Sequence, residues 1–307
     1  MNSKDILANF ENDQRKWLST AGTRPFMWQR RADKIQNILG SGDSHQLHVV
    51  LRASALSGTA NWSWRVAMIE LIDGHQEQAW LNYERARRFN SWEFRLQVEA
   101  YLRTKDAAKS ASKPRGYRLH PALIGAMAAG DEESARKLGE FLANHYSTKE
   151  FADDAFGEGW PELAGFALYL FLQWRGSIEG LDYPEAINPG IYRQLFDHWH
   201  DEGLYDFAEA LYAILDRHIE GMWDKEPYSF RFELCPYGFF PTEYYAIQKI
   251  RERQGLPMPG MDDPRFRLGK HPLLAGPFGN PPDPMPHAEE TIFDQAIEKV
   301  REIYPNV

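Results

Sequence analysis

The chain is poor in the residues that usually advertise chemistry. Its 307 residues contain one cysteine, Cys235, so no disulfide within the chain can form and zinc sites built on several cysteines are excluded. A lone cysteine in such a chain reads as a small buried hydrophobe rather than a nucleophile. Long apolar runs are missing too. The longest, Leu163 to Trp174, contains Gln173 and is too short to span a bilayer. No apolar stretch follows Met1-Asn2-Ser3-Lys4-Asp5, so no signal peptide is visible. Together these absences lead to the expectation of a cytoplasmic protein without a membrane partner. No phosphate loop, dinucleotide fingerprint, nucleophile elbow or His-Glu-x-x-His motif occurs. That favours binding over catalysis, with no cofactor and no bound metal.

Apolar residues make up 43% of the chain and charged residues 26%, values of a folded rather than a disordered protein. Ten tryptophans are more than a core of this size requires, which leaves some for an interface. The net charge of −9 disfavours nucleic acid as a partner. Charge is unevenly spread. Arg85 to Arg118 holds ten basic residues against three acids, and Asp131 to Glu162 holds nine acids against three bases. Either block reads first as a solvated helical face. The basic run also carries Phe89, Trp92, Phe94 and Tyr101, the interleaving a nucleic-acid stacking platform would show, though core packing is the more economical reading.

Helical periodicity recurs along almost the whole chain. The spacing predicts helices over 3–19, from Pro25 to Leu39, 44–57, 60–73, 75–89, 91–103, from Pro121, 132–146, 162–174, from Pro189 to His200, 205–222, from Pro241 to Gly255 and 288–303. Only 228–234 alternates as a strand would. Residues 256–286 are rich in Pro and Gly and read as a packed, irregular segment. Three turns share the form Gly-x-x-x-x-Ala: Gly74 to Ala79, Gly130 to Ala135 and Gly203 to Ala208. Their glycines are not evenly spaced, so the pattern predicts an all-α, irregular bundle of stacked antiparallel helical hairpins rather than a solenoid. The polar stretch 104–116 marks a boundary between an N-terminal helical region, 1–105, and a helical core with a C-terminal extension, 117–307. One continuous domain, 1–307, is the alternative.

Two titratable clusters stand out. Asp197-His198-Trp199-His200-Asp201-Glu202 sits in a predicted helix, where His198 and Glu202 would share a face and His200 would point elsewhere; His218 is a conceivable further metal ligand. Asp153, Asp154, Glu158 and Glu162 form the second, flanked by Gly157, Gly159 and Pro161. Paired carboxylates serve acid–base chemistry or face a basic partner. These four are the candidate partner-binding residues.

The stretch from Leu119 through the Gly130-Asp131 turn to Leu138 resembles the helix-turn-helix of all-α immunity proteins from bacterial polymorphic toxin and type VI secretion effector systems. Pro241 to Gly255, followed by His271-Pro272-Leu273-Leu274, is similar to their late helix and Pro-containing tail. The resemblance spans residues 119–275. It implies a protein that binds a cognate cytoplasm-acting toxin and blocks it, with no enzymatic activity and no cofactor. Toxin-contact residues vary between members, so none carries over. An adaptor for another protein, or an enzyme using an unrecognised carboxylate/His site, are the alternative readings.

Overall fold

The structure, a computed structural model, describes residues 12, 15, 16, 24–51, 55–104, 116–145, 161–177, 190–201, 203–222, 240–259 and 288–305. Among these there are eleven α-helices and no strand. They are α1 (Arg24–Ser41), α2 (Ser44–Val50), α3 (Leu56–Ile72), α4 (Gln76–Thr104), α5 (Gly116–Ala129), α6 (Glu132–His145), α7 (Pro161–Arg175), α8 (Arg193–Asp197), α9 (Leu204–Met222), α10 (Thr242–Gln254) and α11 (Ala288–Arg301). The described residues form the expected all-α architecture.

Packing groups the chain into two compact units: 1–112 together with 277–307, and 113–276. The sequence assigned the last helix to the second region, but α11 packs against α1 and α2 in the first. Its apolar stripe, Phe293, Ala296, Ile297 and Val300, closes a core built from Ile35, Leu47, Leu56, Phe89 and Leu96. Phe293 meets Phe89 edge-on, with centroids 4.9 Å apart. That stripe follows helical spacing, so the helix was legible from sequence but its partner was not.

The first unit is dominated by the α3–α4 hairpin. Two helices were expected where α4 runs unbroken through Asn90-Ser91. Asn and Ser are weak breakers, costing about half a kcal/mol each. Phe89, Ser91, Trp92 and Phe94 are all buried around that point, and their packing decides. The same burial corrects the surface reading of the basic run. Arg85, Arg87 and Arg95 are buried, Arg87 pairs with Glu84, and Arg88 pairs with Asp294. With Phe89, Trp92, Phe94 and Tyr101 inside, no stacking platform is presented.

In the second unit α5 packs against α6, α7 and α10. Its start lies five residues before the expected Pro121, which sits inside the helix. Leu119 and His120, both fully buried, hold that extra turn. The Gly130-Asp131 turn is built as the sequence suggested. Gly130 takes φ +69°, which lets the Asp131 N–H reach back to the Ala126 carbonyl at 2.9 Å. The Asp131 carboxylate then accepts from the Ser134 N–H at 3.1 Å and starts α6. Ala79, Ala135 and Ala208 are all buried, so the three Gly-x-x-x-x-Ala turns do lead into core-facing helices. Gly74 and Gly130 are left-handed and Gly203 is not. Leu138, Leu142, Leu170 and Leu211, all on apolar helical stripes, are buried. Trp174 is only half-buried: it stacks on Phe171 and lies under Arg253, 5.1 Å from its ring.

A candidate protein-binding face

The second unit's chemistry collects where α8 turns into α9. A single helix to His200 was expected, but the chain makes one 3-10 turn, Gly190–Tyr192, and then α8 ends at Asp197. The cause is Trp199. Its ring is fully buried, stacked on Phe196 and edge-on to Phe207, with centroids 5.7 and 5.9 Å away. The chain breaks its helical phase to send that ring inward. The indole N–H donates to the Gln254 side-chain oxygen at 2.7 Å, and the Gln254 amide donates to the Gln173 carbonyl at 2.7 Å.

Arg251 locks the same corner from α10. Its guanidinium donates to the carbonyls of Trp199 and Pro257 and lies 3.8 Å from the Phe207 ring centroid. No part of this side chain reaches solvent. Burial pulls its pKa down to about 10. α10 itself ends where Gly255 turns left-handed at φ +71°, which brings Leu256 and Pro257 back over Arg251.

Above this floor the acids face outward. Asp197, Asp201, Asp206 and Glu209 are exposed, and so is Tyr205, at 64% the most exposed large apolar side chain among the described residues. His198 Nδ1 lies 2.7 Å from an Asp201 carboxylate oxygen. That hydrogen bond raises the His198 pKa above the ordinary imidazole value, with smaller charge contributions from Asp201, Asp206 and Asp197. A helical pairing was expected for His198 and Glu202; the helix ends at Asp197, and Glu202 lies outside the described residues.

Some acids elsewhere are paired with bases, while others, such as the exposed Asp43 and Glu77, have no described lysine or arginine partner either. Glu132 pairs with Arg253 at 2.7 Å, Glu298 with Arg301 and Glu302 with Lys299, both at 2.6 Å. At the α8–α9 corner no described lysine or arginine pairs with Asp197, Asp201, Asp206 or Glu209. Exposed carboxylates with no described lysine or arginine beside them make a local negative potential.

Beside the corner opens a groove of about 790 Å³. Tyr169, Leu172 and Gln173 of α7, Ser177, His200 and Leu256 line it, with Gln254 between them. His200, which lines the groove, directly precedes Asp201 in the chain.

No protein family, curated protein or solved structure matches this chain.

The sequence placed the partner contact at Asp153, Asp154, Glu158 and Glu162. The first three lie outside the described residues, and Glu162 falls in the first turn of α7 with its side chain outside them. Cys235, the 228–234 segment and most of 256–286 are also outside, as is the His218 side chain. Of the titratable cluster, His198, Asp201 and Asp206 come together: one ligand atom from each lies within 4.8 Å of the others. Asp206 was missed from sequence. Its signal was its place in the first turn of the helix after Gly203, close to where α8 stops.

Proposed function

We propose that this chain is an immunity protein, neutralising a cognate cytoplasm-acting toxin by binding it through the acidic face at the α8–α9 corner. The observation that carries the reading is the set of four exposed carboxylates without described basic partners, gathered beside the exposed Tyr205 ring. An aromatic ring ringed by charge is what interface hot spots use. Enzymes that attack anionic polymers carry basic surfaces, and an acidic inhibitor gains association rate from steering toward them. The Trp199–Arg251 floor supports the reading by holding the face in one shape before binding, which lowers the ordering cost of association. The resemblance to toxin-system immunity proteins, carried by 119–138 and 241–274, points the same way. An adaptor would use the same face for another basic partner; the neighbouring gene distinguishes the two.

The test is protection. Co-expression with the product of the adjacent gene should rescue growth, and replacing Asp201 and Asp206 by lysine should abolish rescue while leaving helical content unchanged. Rescue that survives the reversal would remove the acidic face from the account.

The His198–Asp201–Asp206 group favours one second reading, a metal-dependent enzyme. Elemental analysis of purified protein decides it: near-stoichiometric zinc, iron or manganese, lost in His198→Ala, would support that reading.

A further inference from the structure

We infer that His198, Asp201 and Asp206 are the ligands of one zinc-like divalent ion, which ties the end of α8 to the first turn of α9. Such a site needs no protein partner, so it stands or falls apart from the immunity reading, and it holds an ion whether or not a reaction follows. One ligand atom from each residue lies within 4.8 Å of the other two. Nitrogen and oxygen donors sit about 2.0–2.2 Å from a zinc ion, so any two of them are about 4.4 Å apart at most. Small rotations of the side chains close the difference, and they are free to make them, with His198 half-buried and both aspartates exposed.

Carboxylates alone would not set this group apart from other exposed acids. The imidazole does. A nitrogen donor beside two carboxylate oxygens suits zinc or iron(II), whereas magnesium and calcium take oxygen donors. The like charges of Asp201 and Asp206 oppose their own closeness, and no described lysine or arginine pairs with either. A dication among the three side chains removes that repulsion.

The donors are positioned from below. The Asp201 N–H donates to the His198 carbonyl at 3.3 Å, closing the turn that carries both. Trp199 and Phe207, the residues after His198 and Asp206, are fully buried and meet edge-on. Contact between those rings holds the end of α8 against the start of α9, so the core sets the backbone spacing of His198 and Asp206. Ligands carried on a fixed backbone need little ordering when the ion binds.

The test is calorimetric titration of the metal-free full chain with zinc, repeated with magnesium. The wild-type chain should take up one zinc ion saturably, and its thermal midpoint should rise as zinc is added; magnesium should do neither. His198→Gln, Asp201→Asn and Asp206→Asn should each weaken zinc binding more than about tenfold, with helical content by circular dichroism unchanged. His200→Gln removes a neighbouring imidazole that is not in the group and should leave zinc binding as it is. A second measurement needs no variant: in the ¹⁵N-labelled wild-type chain, the His198 imidazole signals should respond to the first equivalent of zinc. No saturable zinc uptake, equal uptake of magnesium, unchanged affinity in His198→Gln or Asp206→Asn, or a His198 ring that zinc does not move would each overturn the inference. Protection against a toxin is not read in any of these experiments, so their failure leaves the immunity reading where it was.

Discussion

Arg251 and Trp199 hold each other across 52 residues of chain: the guanidinium donates to the Trp199 carbonyl and its carbon lies 5.6 Å from the Trp199 ring centroid. The contact fixes the acidic corner to α10, so its loss should be felt both in stability and at the face. Arg251→Ala leaves the carbonyls of Trp199 and Pro257 without their donor and opens a cavity beside Phe207. We expect a loss of about 2–5 kcal/mol, within the range of large-to-small core changes. Arg251→Lys should recover little, because one ammonium cannot reproduce the planar fork. Arg253→Ala, which breaks an exposed pair with Glu132, should cost about 1 kcal/mol or less. Urea unfolding midpoints of the three variants check the ordering.

The close approach of α6 and α7 gives a second prediction. A Cβ added at Gly139 would lie 2.3 Å from Cδ2 of Phe171, a ring with no exposure. Gly139→Ala should therefore destabilise by about 1–3 kcal/mol despite the better helix propensity of alanine. Leu170→Ala, in the same helix as Phe171, should cost about 2–5 kcal/mol. A thermal midpoint that rises in Gly139→Ala would show that the two helices separate freely.

His198 gives a prediction in pH. Its pKa is raised by the Asp201 hydrogen bond, so imidazole proton shifts should titrate above about 6.5, the ordinary value. Asp201→Asn should bring the midpoint down. For stability the sign follows from linkage: a raised folded-state pKa contributes fully below the unfolded value and is lost as pH rises through the folded one. The His198–Asp201 contact should thus help below pH about 6.5 and fade above it. An unshifted midpoint in Asp201→Asn would assign the shift to another group.

Charge reversal separates the candidate faces. Asp201→Lys with Asp206→Lys should weaken partner binding mainly through slower association, with less dependence on salt. Asp153→Lys with Asp154→Lys tests the face read from the sequence. Reversing Arg87 and Arg88 is not a surface control: Arg87 is buried against Glu84 and Arg88 is paired with Asp294, so the fold itself should suffer. Stopped-flow association rates, with circular dichroism on every variant, distinguish these outcomes.

The difference between what could be read and what could not follows from the range of the forces. Local signals were legible. Gly130-Asp131 and Gly255 turn the chain where glycine conformational freedom and a side-chain cap act within a few residues. Leu138, Leu142, Leu170 and Leu211 lie on apolar stripes and are buried. Decisions taken at long range were not legible. Asn90-Ser91 looks like a break until the core that surrounds Phe89 and Trp92 is known. The basic run 85–95 looks solvated until Glu84 and Asp294 are placed beside it. Most consequential is Trp199, whose burial ends α8 early. That sets His198 beside Asp201 and brings in Asp206, eight residues beyond His198. No spacing rule within one helix would have found that group, because it spans the end of one helix and the start of the next.

The central claim is that the acidic corner binds and neutralises a basic toxin. The most direct measurement is titration of the purified chain into the purified product of the adjacent gene, with binding and that product's own activity followed together at two salt concentrations. A stable complex is expected, with loss of the toxin's activity in step with binding, weaker affinity at higher salt, and failure of the Asp201→Lys, Asp206→Lys variant in both readouts. Absence of a complex, or a complex that forms equally well with the reversed variant and at either salt concentration, would contradict it.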